Sequence, residues 1–279
     1  MLYSTLSRFQ GAIWGSLNIT QSDILSELMI KQTKNLIESG DLNIKQMEGL
    51  ANLTISQMAV ATLPVLLFFH DSPQLLTNKL TAIITKLNQT TETLQELLTW
   101  SKAISLALTE QLEPQDLLKQ LLQENSQTKL TEQLEQVQSY LEQNLSLNQV
   151  VNKLSRLKQP ETAIALAIYC FLFTPQDFNL AINRAKQSKY QPEITQALTG
   201  ALTGVYNGYH NIPLQLRLSL QQNHQQRISI TIASQLYASW CGITPTGLAN
   251  WQQTSQTIAQ PGLIQPRKQL KIISQQQTW

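Results

Sequence analysis

The feature that most constrains the fold is an apolar run from Thr162 to Phe173, TAIALAIYCFLF. A bilayer crossing needs ~20 apolar residues, so this run is too short to span a membrane. A helix that is apolar on every side is normally buried in a large core. Thr174 and Pro175 end the run, because the residue before a proline is disfavoured in the α region. The sequence therefore predicts a central helix with further elements packed around it.

The remaining composition favours an all-α fold. Leu, Gln, Glu, Lys and Ala dominate the middle of the chain, and all are good helix formers. Hydrophobic residues make up 42% of the 279 residues and charged residues only 14%, so a substantial core can form. Amphipathic stripes recur between Ser72 and Asn148 but restart at each break, whereas a coiled coil sustains at least ~3 heptads. We therefore expect a single large orthogonal helical bundle.

Charge and cysteine usage exclude several classes of protein. The formal net charge of +2 is too small to indicate a nucleic-acid or membrane surface. Cys170 and Cys241 are too few and too far apart for a disulfide framework or a zinc site. The first residues lack a basic region followed by an apolar core, so we expect a cytoplasmic protein without membrane insertion. Six glutamates are predicted to lie on solvated helix faces, namely Glu92, Glu96, Glu124, Glu132, Glu135 and Glu142.

Two sets of glycines predict close helix packing. One set recurs every four residues in a helix predicted over Glu193–Tyr209, and it comprises Gly200, Gly204 and Gly208. Each glycine within a helix costs about 1 kcal/mol relative to alanine. Gly11 and Gly15 have the same spacing near the N-terminus. Both sets favour the close approach of a neighbouring helix over a ligand contact.

The same regions resemble a known family. The phrase GALTGVYNG from Gly200 to Gly208, with Ile212-Pro213 and the preceding AIYCFL, resembles the C-terminal motif of the ADP-ribosylglycohydrolase family. RFQGAIWGSL, residues 8–17, resembles that family's N-terminal Gly-Ala-Leu-Leu-Gly-Leu phrase. The resemblance covers most of residues 8–240, and it implies an all-helical domain of this type over residues 1–242.

The family's activity depends on motifs that this chain has largely lost. Its members hydrolyse glycosidic ADP-ribose bonds with two divalent metal ions. Their Gly-Gly-Asp-Thr-Asp-Thr connector falls at Lys189–Ile194, where Gln191 replaces the first aspartate and only Glu193 is acidic. Their Thr-Asp-Asp-Thr motif is represented only by Asp23, for which a helix cap is the other interpretation. Their ribose-pocket segment falls at Ser56, Gln57, Met58 and Ala61.

His70 and Asp71 form the remaining pair with chemical potential. A His-Asp pair acts in catalysis or metal binding, or it marks a helix end and the start of the next helix. No second histidine or carboxylate cluster lies nearby in sequence, which favours the structural interpretation. A histidine near a helix C-terminus also interacts well with the helix dipole.

We therefore expect a pseudoenzyme that serves as an interaction or regulatory module, with a protein partner, no nucleic acid and no cofactor. One alternative is a divergent active hydrolase in which Asp23, Asp71 and Glu193 converge on Mg²⁺ or Mn²⁺. Bridged metal ions lie only ~3.5–4 Å apart, so that alternative requires the three carboxylates to be close together. Another alternative is a binder of ADP-ribose or a related nucleotide that needs no metal.

Residues 243–279 have a different composition. They are polar, lack acidic residues and carry the basic side chains of Arg267, Lys268 and Lys271. Such a polar tail is typical of disorder. Trp251 and Trp279 support a second interpretation, in which the tail docks on its own domain or on a partner.

Overall fold

The computed structural model describes residues 4–17, 23–43, 47–123, 127–221 and 224–243. The regular elements in these ranges are helices, which confirms the all-α prediction. In chain order they are α1 (Thr5–Leu17), α2 (Asp23–Ser39), α3 (Ile55–Ala61), α4 (Leu63–Phe68), α5 (Pro73–Lys86), α6 (Thr91–Leu108), α7 (Leu117–Leu122), α8 (Lys129–Glu142), α9 (Leu147–Leu154), α10 (Thr162–Phe173), α11 (Phe178–Gln187), α12 (Pro192–Asn207), α13 (Leu214–Gln221) and α14 (His224–Trp240).

The apolar run forms α10 with the predicted bounds. Its residues from Thr162 to Phe171 are all buried, including Cys170. Helices α8, α11 and α12 pack around it. None of the described helices is long and apolar enough to cross a membrane. The central position of α10 follows from its composition, because it has no polar face to present to water.

Helices α1 and α12 form the most extensive interface between described helices. Gly11 lies against Gly204, and Gly15 lies against Gly200. A Cβ atom at Gly11, Gly15 or Gly204 would overlap the carbonyl oxygen of the facing glycine. The two glycine sets predicted separately therefore form one helix crossing.

The third glycine of the predicted stripe also lies close to α1, since a Cβ at Gly11 would come within 3.0 Å of the Gly208 carbonyl carbon, and it has a second role. Gly208 caps the C-terminus of α12 with φ of 68°, a left-handed conformation that glycine adopts readily. The helix predicted over Glu193–Tyr209 therefore ends earlier, at Asn207. A short 3₁₀ turn, Tyr209–Asn211, follows.

Arg8 joins the C-terminal ends of two helices, which the sequence did not indicate. Its guanidinium donates to the carbonyl oxygens of Ala107 at 2.8 Å and of Val205 and Tyr206 at 3.2 Å. It also pairs with Glu110 at 3.2 Å. The last carbonyls of a helix lack partners within the helix and carry partial negative charge. The buried cation therefore satisfies the ends of α6 and α12 together.

The starts of α11 and α14 complete the description of the C-terminal helices. Helix α11 starts at Phe178, three residues after Pro175. Asp177 is the cap, because its carboxylate accepts the Leu180 N–H at 2.9 Å. Helix α14 begins at His224 and ends at Trp240. The basic tail from residue 244 lies outside the described residues.

Candidate functional site

The connector between α11 and α12 is the segment that carries the metal motif in the resembling family. Lys189 and Gln191 adopt left-handed conformations with φ of 55° and 38°. Such a conformation costs a non-glycine residue roughly 1–2 kcal/mol. Lys189 stands where the family motif has glycine. The connector thus tolerates backbone strain at a position where a glycine would relieve it.

Tyr190 anchors this connector to the interior. Its hydroxyl donates to the carbonyl oxygen of Gln159 at 3.1 Å, and its own carbonyl accepts from Thr195 Oγ1 at 2.7 Å. Burial raises the pKa of the Tyr190 phenol, so it remains a hydrogen-bond donor at neutral pH. The connector is therefore tied to the turn that precedes α10.

That turn is the centre of a buried polar cluster, which we define as Glu96, Gln133, Gln159, Glu161, Thr162 and Tyr190. The Gln133 amide donates to Gln159 Oε1 at 2.5 Å and to Thr162 Oγ1 at 3.0 Å. Ser56 at the start of α3 donates to the neighbouring Pro160 carbonyl at 2.5 Å. Helices α3, α8, α10 and the connector therefore meet at this cluster.

The cluster holds two buried carboxyl groups. Glu96 is 4% exposed and Glu161 is 1% exposed. Burial raises the pKa of Glu96 to about 7 from its ordinary value of 4.5, and the charges of Glu161 and Glu92 add to the effect. The Leu130 N–H, which donates to Glu96 Oε1 at 3.3 Å, acts in the opposite direction and lowers the pKa of Glu96. Burial also raises the pKa of Glu161.

The prediction that Glu96 lies on a solvated face was wrong. Helix α6 packs against α3, α4, α5, α7 and α12, so more than one of its faces is covered. The N-terminus of α8 meets the polar side of α6 at Glu96. Glu92 is half-buried, whereas Glu132, Glu135 and Glu142 are exposed as predicted. Glu124 lies outside the described residues.

Two of the three carboxylates of the hydrolase alternative, Asp71 and Glu193, have described side chains, and these lie on different elements. Asp23 is the first residue of α2, and its side chain lies outside the described part. Glu193 is exposed in the first turn of α12. Asp71 is exposed beside a groove of about 410 Å³, whose described lining comes from residues 70–77 and 98–111. That groove includes no described residue of the connector or α12, so it does not join Asp71 to Glu193.

His70 belongs to an aromatic part of the core. Its Nδ1 donates to the Leu67 carbonyl at 2.7 Å, close to the end of α4. The ring centroid lies 5.1 Å from that of Trp240 and 5.8 Å from that of Phe9. These contacts agree with the helix-end interpretation of the His-Asp pair.

A second groove lies near the other end of α12. It has a volume of about 720 Å³ and extends from Glu113 and Leu118 across α8 to Leu172 and Tyr206. A helix rises 1.5 Å per residue, so Tyr206 lies roughly 20 Å along α12 from the connector. The groove is therefore remote from the segment that carries the metal motif in the resembling family.

A comparison with protein-family models shows to which family the chain belongs. The model of the family described as ADP-ribosylglycohydrolase matches residues 28–244, more than half of the chain. The chain belongs to the ADP-ribosylglycohydrolase family. The match begins within α2 and therefore leaves out α1, the helix that packs most extensively on α12. Among curated proteins, none matches the chain.

The side chains described here do not fit the metal pair of ADP-ribosylglycohydrolases. Two divalent ions need several oxygen ligands each. Residues 189–194 contain one lysine and one glutamate, so their formal charges cancel. Within the described ranges, no group of three His, Cys, Asp or Glu side chains is placed to hold a metal ion.

The family's ribose-pocket segment also has other roles here. Ser56, Met58 and Ala61 are buried. Gln57 closes a capping box with Thr54, whose N–H donates to Gln57 Oε1 at 2.9 Å. A capping residue and core residues present no donor set to a ribose. This segment of the family motif thus stabilises the start of α3 instead.

Proposed function

We propose that this ADP-ribosylglycohydrolase-family protein is a catalytically inactive member that serves as an interaction or regulatory module. The observation that carries the proposal is the inward anchoring of Tyr190. At the position where the family motif prepares its metal ligands, this chain places a bulky phenol that bonds to the Gln159 carbonyl. The connector is thereby used to hold α10 and α12 together.

The acidic groups of the site support the same conclusion. Hydrolysis of a glycosidic bond needs a carboxylate or a metal-bound water that can reach the substrate. Glu96 and Glu161 have unusual pKa values, but both side chains are buried away from solvent. Glu193 is accessible and stands in a connector segment whose formal charge is zero.

A binding role requires an accessible surface, and the two grooves provide candidates. The larger groove combines apolar side chains such as Leu118 and Leu172 with three charged side chains, those of Glu113, Lys119 and Glu142, of which only one is basic. A surface with apolar and charged groups together suits a protein partner better than a nucleic acid, whose phosphates seek basic side chains. We propose a protein as the partner.

Calorimetric titration of ADP-ribose, with and without Mn²⁺, tests the proposal. We expect no heat of binding in either case, and no release of ADP-ribose from a mono-ADP-ribosylated substrate. An active family member serves as the positive control. Metal-dependent binding that Glu193→Gln abolishes would overturn the proposal in favour of an active hydrolase. Binding without metal would instead make the protein a nucleotide binder.

A further inference from the structure

Two oxygen atoms of the buried polar cluster have no hydrogen-bond donor among the described residues. They are Oε1 of Glu161 and Oε1 of Gln133. Gln133 is only 3% exposed and Glu161 only 1% exposed, so bulk water does not donate hydrogen bonds to these oxygens. Buried acceptors without a partner are costly and rare in folded proteins. Their presence in one cluster indicates that a positively charged or donating group belongs there.

Contacts made by α8 connect the two orphaned oxygens with the second buried carboxyl group, Glu96. Gln133 is one turn after Leu130 in α8, and side chains in helices lean toward the N-terminus. The Gln133 amide therefore leans toward the Leu130 N–H, which donates to Glu96 Oε1. The same amide contacts Thr162, the neighbour of Glu161. The charge of Glu161 also acts on Glu96.

When both carboxyl groups of the cluster are ionised, their charges are not balanced by the protein itself. A helix N-terminus carries about +0.5 charge, so the ends of α8 and α10 offset only about one of two carboxylates. Lys129 is exposed and provides partial compensation from the start of α8. Glu92 and Glu132 add negative charge nearby. A cation bound between Glu96 and Glu161 would supply the missing charge.

We propose that Glu96, Glu161 and Gln133 form a buried site for one hard divalent cation, with Ca²⁺ the best match. The donors are carboxylate and amide oxygens, which are ligands that Ca²⁺ takes in irregular arrangements together with water. The site contains neither a cysteine nor a histidine, so it does not suit zinc. It joins α6, α8 and the start of α10 beneath the connector. Its role is structural, and it is separate from the substrate chemistry discussed above.

Thermal unfolding of the full chain tests this site. The protein is first treated with a chelator and then heated in CaCl2, in MgCl2 and in NaCl of matched ionic strength. At a hundredfold excess over the Kd, we expect CaCl2 to raise the Tm by about 5–10 °C. Glu161→Gln removes one negative charge from the site and Gln133→Leu removes one oxygen ligand, both with little change in side-chain bulk, and each should abolish the shift. Glu135→Gln, an exposed change on the same helix α8, should retain it.

Calorimetry on the wild-type protein provides a second measurement if the variants fold poorly. The carboxyl groups must lose their protons to bind a cation, so CaCl2 should release protons near neutral pH. The heat should therefore differ between two buffers of different ionisation enthalpy. An absence of binding at millimolar CaCl2, or an equal Tm shift in Glu161→Gln, would overturn the proposal. Protons alone would then satisfy the cluster.

Discussion

Gly11 of α1 and Gly204 of α12 are packed backbone to backbone. A Cβ at either position would overlap the carbonyl oxygen of the other, and a Cβ at Gly204 would also lie 3.1 Å from the Ala12 backbone nitrogen. Backbone atoms on both sides leave no flexible side-chain end that can move. These two residues therefore set the distance between the helices with the most extensive interface in the described fold.

We expect Gly204→Ala to destabilise the protein by about 3 kcal/mol, because added volume in a well-packed core forces backbone shifts. At an exposed helix position the same change would stabilise by about 1 kcal/mol. The free energy of unfolding in urea measures the difference. Gly49→Ala is the matched control, since its Cβ would meet the movable Cδ2 of Leu28. A Gly204→Ala variant as stable as the wild type would contradict the packing described.

Because the carboxyl groups of Glu96 and Glu161 are buried, we expect the stability of the protein to fall as pH rises. The folded protein holds the Glu96 proton to about pH 7, whereas the unfolded chain releases it near its ordinary pKa of 4.5. Between these values the folded state binds more protons, so the free energy of unfolding declines with pH and levels off above pH 7. The loss from Glu96 is about 3 kcal/mol at 1.36 kcal/mol per pKa unit. Glu161 acts in the same direction.

Glu96→Gln tests this assignment, because the amide imitates the protonated acid and still accepts the Leu130 N–H. In a chelating buffer, the free energy of unfolding of the variant should fall much less with pH than that of the wild type. At about pH 8 the variant should be the more stable of the two. Glu135→Gln should leave the pH dependence unchanged, because that side chain is exposed. A wild-type stability that stays flat from pH 5 to pH 8 would refute the assignment.

The sequence was sufficient for much of the fold. The apolar run predicted α10 to the residue, because a segment without a polar face has only one stable environment. The glycine spacing predicted close packing at Gly11, Gly15, Gly200 and Gly204. The sequence did not show that these glycines face one another, because periodicity assigns a face to each helix and leaves the partner open.

The candidate site was harder to predict than the fold. Glu96 was assigned to solvent because its helix has an apolar stripe on another face. Its burial depends on where α8 begins, a contact between residues 34 positions apart. Glu161 precedes the apolar run directly, and that position was the one available signal of its burial. Arg8 gave no signal, since its partners are backbone carbonyls of α6 and α12.

We expect a single substitution of Arg8 to lower the free energy of unfolding strongly. Arg8→Met keeps the aliphatic bulk but leaves the carbonyls of Ala107, Val205 and Tyr206 without this donor. Since an unsatisfied buried polar group costs about 1–3 kcal/mol, we expect a loss of about 3 kcal/mol in urea unfolding. Arg8→Lys should recover little, because one ammonium lacks the planar fork that reaches several acceptors.

Glu110→Gln separates the ion pair from these carbonyl contacts. Glu110 pairs with Arg8 at 3.2 Å but is itself exposed. An ion pair at the surface contributes about 0–1 kcal/mol, so this variant should differ little from the wild type. If Glu110→Gln were as destabilising as Arg8→Met, the stabilisation would come from the ion pair and not from the helix ends.

The reactivity of the two cysteines tests whether α10 is shielded from solvent. Neither forms a disulfide; Cys170 is buried in α10 and Cys241 is exposed after α14. Burial raises the pKa of the Cys170 thiol to about 12, and the thiolate is the form that reacts with disulfide reagents. When the native protein reacts with dithiobis(nitrobenzoate), one equivalent of thionitrobenzoate should therefore be released rapidly. The denatured protein should release two equivalents. Cys241→Ser should remove the rapid phase. A rapid phase that persists in Cys241→Ser would mean that α10 opens readily to solvent, and its central place in the core would have to be abandoned.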